Sequence, residues 1–162
     1  MAQRAGWRVA VAGLLVAIGV AAAPVVSLPI GPSRVFPLQA TIDVLAGVIL
    51  GPWPAVGVAV VISTLRVGLG TGTVFAFPGS VFGALLAGYL YQATRRDIMA
   101  SVGEFIGTGA IGALVSFPIA RYLLGRSTAA FFFVVPFALA SGTGAVLGYL
   151  VLKALRGGRV LR

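Results

Sequence analysis

Asp43, Arg66 and Glu104 are ionisable residues that fall inside otherwise apolar stretches of this chain. A charge in hydrocarbon is expensive, so groups of this kind pair with one another, face a watery cavity or hold a ligand. Other chemistry is sparse. The 162 residues include no Cys and no His, which removes thiolate nucleophiles, imidazole bases and the commonest metal ligands. Ser63, Ser80 and Ser116 would need a lysine as base, and Lys153 stands at the wrong end of the chain's apolar segments. No Gly-x-x-x-x-Gly-Lys-Ser/Thr run is present, so the chain does not cradle ATP phosphates in the Walker manner. We therefore expect no catalytic residue, no metal and no cofactor; the chain is not read as an enzyme. Recognition remains. The run from Thr71 to Ser80 sets Phe75 and Phe77 among hydroxyls on a bend just after Arg66, and aromatic walls with a few polar groups are how small-molecule sites are built.

The elements that must position these residues are set by composition. With 59% hydrophobic and 9% charged residues and a mean hydropathy of +1.08, the chain has too much apolar surface for one soluble core and belongs in a bilayer. Its formal charge of +9 comes from twelve Lys and Arg against three acids. The cations cluster at segment ends, where the positive-inside rule puts them, which argues against nucleic acid as the partner. The N-terminus, with Arg4 and Arg8 before an apolar run, imitates a signal peptide and is read as a retained first span. The expected fold is an all-α integral membrane protein, one domain of six transmembrane helices over residues 9–26, 38–50, 55–69, 78–91, 98–124 and 129–154.

The first span carries Gly13 and Ala17 four apart, a smooth face suited to packing inside the bundle or to docking another chain. Ser27 to Pro37 holds three prolines and reads as a structured outer loop. The segment from Leu38 to Leu50 is short and interrupted by Gln39, Thr41 and Asp43, the kind of segment in which transporters place binding sites. Gly51-Pro52-Trp53-Pro54 is expected to be a tight turn, making a hairpin whose arms bring Asp43 and Arg66 to levels that an arginine side chain bridges. We expect these two to pair or share a network. Gly79, Gly83 and Ala87 allow close helix approach, and Pro118 is expected to kink the long fifth segment. Glu104 either approaches the level of Asp43 or snorkels towards Arg95 and Arg96. The Phe cluster of Phe131, Phe132, Phe133 and Phe137 reads mainly as lipid-facing or core. Eight cations fall on the side of the termini (Arg4, Arg8, Arg95, Arg96, Lys153, Arg156, Arg159, Arg162) and four on or near the other (Arg34, Arg66, Arg121, Arg126), so both termini are expected in the cytoplasm.

Pro29-Ile-Gly-Pro-Ser-Arg-Val-Phe-Pro37, Asp43 to Trp53, Arg66 with Leu69-Gly-Thr-Gly-Thr73, Phe75-Ala-Phe-Pro-Gly79, and Gly103-Glu-Phe-Ile-Gly-Thr-Gly109 with Pro118 together give a pattern covering most of the chain. It resembles the substrate-binding S components of energy-coupling factor (ECF) transporters, and among them the ThiW type for the thiazole precursor of thiamine. The resemblance implies a six-helix S-component bundle in the plasma membrane, with a ligand site near the extracellular side capped by the loop between the first two helices. It implies assembly with a membrane-embedded coupling protein and two ATPase subunits, the first helix docking through an Ala-x-x-x-Ala pattern that here reads Gly13-Leu-Leu-Val-Ala17. For hydroxyethylthiazole as ligand, Phe75 and Phe77 are the candidates for stacking. Asp43, Arg66 and Glu104 are candidates for its nitrogen and hydroxyl, with Phe36 and Gln39 closing over it. An anionic or phosphorylated ligand, which Arg34, Arg66 and Arg121 would suit, or the pyrimidine precursor, stays open. So do a small ion-coupled carrier and a purely structural membrane protein.

Overall fold

The computed structural model describes residues 2–22, 25, 28–30, 33–123, 125 and 132–158. The helices are α1 (Ala2–Ala22), α2 (Pro37–Leu50), α3 (Pro52–Gly68), α4 (Ala76–Thr94), α5 (Asp97–Glu104), α6 (Ala113–Pro118) and α7 (Val134–Gly157). Two π-helical stretches, π1 (Phe105–Gly112) and π2 (Ile119–Leu123), join α5 and α6 into one continuous rod, so the described helices form six rods. The windows Ala5–Ala22, Asp97–Tyr122 and Val134–Gly157 are long and apolar enough to cross a membrane. Between α1 and α2 the proline-rich loop forms a short antiparallel hairpin, β1 (Leu28–Ile30) with β2 (Ser33–Val35), pairing Leu28 with Val35 and Ile30 with Ser33. Pro29 is tolerated there because a two-stranded ribbon leaves one edge of each strand unpaired.

Several boundaries differ from the sequence reading for local reasons. The helix expected to begin at residue 55 begins at Pro52, because Gly51 alone, at φ 87° and ψ 173°, reverses the chain. Proline is well placed in a first helical turn, where its missing N–H has no partner to lose. The bend expected through Ser80 ends earlier, with Phe75 as the last residue before α4, so Phe77 is helical. The first helix covers Ala2–Ala22 rather than 9–26, the fourth extends to Thr94, and the last ends at Gly157 rather than 154. Arg126, Phe131, Arg159, Arg162 and the side chain of Arg34 lie outside the described residues. Pro118, whose ring lacks the donor for an α-type bond, is the last residue of the short α6, and the π2 stretch begins directly after it.

α4 is the centre of the bundle, with α2, α3 and the α5–π1 rod packed around it. The contact faces are made of small residues: Ala46, Ala55, Ala59, Ala84, Ala87 and Ala100 are fully buried, and small side chains let helix backbones approach closely where lipid supplies no hydrophobic drive. The closest approaches use glycine. A Cβ on Gly88 would lie 2.5 Å from Pro52 Cα, and one on Gly103 would lie 2.5 Å from the Leu86 carbonyl oxygen. α1 is peripheral and packs on α3 and α2, turning Leu15 inward while Gly13 and Ala17 face outward. At the Gly51 end, Arg8 donates to the Leu50 carbonyl. There too Arg156 grips Asp97 through two bonds, 2.7 and 2.8 Å, and donates to the Tyr91 hydroxyl at 2.9 Å, tying α7, α5 and α4 together.

Because backbone atoms of Pro52 leave no room to yield, Gly88→Ala should destabilise the bundle by about 1–3 kcal/mol. Gly57→Ala, a glycine with nothing within 4 Å of its added methyl, should leave stability unchanged or slightly raised. Thermal unfolding of both variants in the same detergent checks this; equal midpoints would refute the packing account.

Candidate functional site

The site is built where α2 and α3 meet the loop into α4. Arg66 occupies the last turn of α3, and the chain after it folds back onto its carbonyl. The N–H groups of Thr71 and Gly72 both donate to Arg66 O at 2.9 Å, and Thr71 Oγ1 adds a third bond at 3.2 Å. Gly70, at φ 71°, supplies the left-handed step this cap requires. The Gly-Thr-Gly-Thr run is thus a helix cap that becomes a wall of the site.

With its backbone fixed, Arg66 turns its side chain inward, where only 1% of the residue is exposed. Its guanidinium carbon lies 3.8 Å from the centre of the Phe36 ring, a cation–π contact. Its Nη1 donates to Gln39 Oε1 at 3.2 Å, and Gln39 Nε2 donates to Asp43 Oδ1 at 3.1 Å. Phe36, Gln39 and Asp43 follow one another at intervals of three and four, the spacing that stacks side chains on one helix face. Asp43 and Arg66 therefore share a network, but no direct ion pair joins them; a primary amide, donor on one side and acceptor on the other, stands between.

That network is incomplete. Among the described residues, Asp43 Oδ2 and Arg66 Nε and Nη2 are buried without a hydrogen-bond partner, a condition that costs free energy unless something from outside supplies the bond. Asp43 and Arg66 are among the residues that line a cavity of about 720 Å³, within the usual size of small-molecule sites. Much of the remaining lining is aromatic. Phe75 lies against Phe133 with ring centres 4.7 Å apart, and Phe133 meets Phe137 edge to face at 6.2 Å. Ser80, bonded to Ser63 at 3.0 Å, and Thr108, which donates to the Gly79 carbonyl at 2.9 Å, complete the lining between them.

Of the residues singled out from sequence, Phe36, Gln39, Asp43, Arg66 and Phe75 come together on this cavity, whereas Phe77 and Glu104 are not among its lining residues. Phe77 sits on α4, two residues past Phe75, and two helical residues rotate a side chain by about 200° to another face. Glu104 is fully buried, so it does not snorkel towards Arg95 and Arg96. Its Oε2 accepts from Ser141 at 2.7 Å, and Oε1 has no partner among the described residues. It stands one turn from Thr108 along the same rod, beside Gly83, whose added Cβ would lie 3.2 Å from Oε1. Arg121 is exposed and its guanidinium lies 5.9 Å from the centre of the Tyr122 ring, away from the cavity lining. Gly13 and Ala17 are elsewhere, on the outward face of α1. Sequence reasoning undervalued the start of α7: Phe132, Phe133, Pro136, Phe137 and Ala140 all line the cavity, and their three-and-four spacing was the available signal.

The donors, acceptors and rings of this set suit reversible binding. The architecture of apolar helices around a polar-and-aromatic cavity agrees with what comparison with known proteins returns. No curated protein and no solved structure matches the chain. Residues 9–157 match the family described as thiamine-precursor transporter protein (ThiW), and since this is nearly the whole chain, the protein is a member of the ThiW family of thiamine-precursor transporters.

Proposed function

We propose that this chain is the substrate-binding S component of an ECF-type importer, resident in the plasma membrane with its six helical rods as spans and both termini cytoplasmic. In this reading it captures hydroxyethylthiazole from the extracellular side. The observation that supports the proposal is the cavity itself: it is lined by Asp43, Gln39 and Arg66 and by Phe75, Phe133 and Phe137, and Asp43 and Arg66 each keep buried hydrogen-bonding atoms without a partner among the described residues. A thiazole alcohol presents a flat ring to stack and two polar groups to pair. The chain has no nucleotide-binding motif, so net accumulation is assigned to a membrane-embedded coupling protein and two ATPase subunits. The outward face of α1, where Gly13 has nothing within 4 Å of an added methyl, offers the flat surface on which the coupling protein docks.

Native mass spectrometry of the detergent-purified protein after incubation with hydroxyethylthiazole should show one bound ligand per chain. A spectrum with no adduct, or one displaced only by an unrelated vitamin, would refute the assignment. Arg66→Met should weaken that binding at least about tenfold; unchanged affinity would mean that the buried ions serve packing alone. Gly13→Leu, on the outward face of α1, should abolish co-purification with the coupling protein while leaving ligand affinity within about twofold of the parent. Co-purification at parental yield would place the docking surface elsewhere.

A further inference from the structure

Size does not select the ligand here, since about 720 Å³ accommodates a substituted five-membered ring with or without a phosphate. Polarity does. Asp43 and Arg66, each 1% exposed, both border the cavity and both retain unmatched atoms, an acceptor at Asp43 Oδ2 and donors at Arg66 Nε and Nη2. The remaining functions are already used: Asp43 Oδ1 accepts from Gln39, and Arg66 Nη1 donates to it. Gln39 cannot turn over without facing its amide N–H groups at a guanidinium that has only donors and its carbonyl at a carboxylate that, ionised, has only acceptors. The amide therefore fixes the sense of the whole wall, acceptor on the α2 side and donors on the α3 side. Charge points the same way. The charged residues that line the cavity are Asp43 and Arg66, one carboxylate to one guanidinium, while Glu104 and Arg121 are outside the lining, so the lining carries no net positive charge to neutralise an anion. A dianion entering this cavity would meet an unpaired carboxylate oxygen in a site of low dielectric.

We propose that Asp43 and Arg66, oriented by Gln39, make the cavity specific for uncharged ring compounds carrying one hydrogen-bond donor and one acceptor, the donor bonded to Asp43 Oδ2 and the acceptor to Arg66, and that they exclude the phosphorylated form of the same compound. The inference rests on the assignment of this cavity as the ligand site. For hydroxyethylthiazole the hydroxyl gives its proton to Asp43 and the ring nitrogen accepts from Arg66. Gln39 is a positioning residue and touches no ligand atom in this account.

Isothermal titration of the detergent-purified full chain with three probes tests it: hydroxyethylthiazole, its O-methyl ether, which keeps ring and oxygen but loses the donor, and its phosphate. The alcohol should bind at least about tenfold more tightly than the ether, since a buried acceptor left unmatched carries that penalty, and the phosphate should be weaker still. In Asp43→Asn the phosphate should recover relative to the alcohol by about tenfold or more, as the repelling charge is gone. An ether as tight as the alcohol, a phosphate as tight or tighter, or a phosphate-to-alcohol ratio unchanged in Asp43→Asn would overturn the polarity assignment while leaving the cavity as the thiazole site. If Asp43→Asn does not fold, the comparison of the three probes on the parent protein decides alone. Binding of none of the three would overturn both this inference and the assignment on which it rests.

Discussion

The constraint on which this structure turns is the presence of a guanidinium inside an apolar bundle. Such a group is always charged, cannot lose its proton to escape the penalty of burial, and carries five N–H donors that each require an acceptor. Every feature around Arg66 answers part of that demand. Phe36 lies against its face, Gln39 accepts one N–H and relays to Asp43, and the Gly70–Thr73 turn seals the backbone behind it. The demand is not met in full, and Nε and Nη2 are left over beside an open carboxylate oxygen. In a protein whose purpose was only to hold its helices together, replacing such a partly satisfied network by apolar side chains of similar volume would often be neutral or stabilising. Beside a cavity, such a network fits the proposed binding role, in which a ligand would make the missing bonds.

The rest of the bundle can be understood as the means of keeping that unsatisfied network rigid. Lipid is as apolar as leucine, so helices in it are held by close packing rather than by a hydrophobic drive. Ala46, Ala87 and Ala100, with Gly88 against Pro52 and Gly103 against Leu86, bring backbones into near contact around α4. At the end remote from the cavity, Arg156 locks α7 to α5 and α4 through Asp97 and Tyr91. The cavity is lined by the loop from Gly70 to Thr73, by Phe36 just after the short hairpin, and by the aromatic rings of Phe75, Phe132, Phe133 and Phe137. The irregular π1 and π2 stretches fall in the rod that carries both Glu104 and Thr108, which is where wide helical turns are commonly found in functional sites.

Much of this was legible in the sequence, and the parts that were not have physical reasons. The meeting of Asp43 with Arg66 followed from counting along two arms of a hairpin, since helix rise converts residue number directly into height. The intervening amide was missed as a bridge although Gln39 and Asp43 stand four apart on one helix face, because sequence shows that two residues are neighbours without showing which pair of charges they lie between. Phe77 was grouped with Phe75 because both follow Arg66 closely. A single boundary, helix beginning at Ala76, sends them to different faces. Phe133 and Phe137 were read as lipid-facing or core, and they do belong to a buried cluster; that they also line the cavity was not legible, since phenylalanine near the end of an apolar segment has the same signature whether it meets lipid, core or a hollow. Glu104 was read as either a ligand contact or a surface charge. Its burial rules out the surface charge: it is enclosed between Ser141 and Gly83, and only the three-dimensional packing of α4 and α7 on its rod reveals this.

The measurement that tests the central claim most directly is an experimental structure of the protein with hydroxyethylthiazole bound in a lipid environment. The account predicts density for the ring between Phe75, Phe133 and Phe137, with polar atoms within hydrogen-bond distance of Asp43 and Arg66. A ligand seated elsewhere, or an Arg66 side chain turned out to lipid with the hollow collapsed behind it, would contradict it.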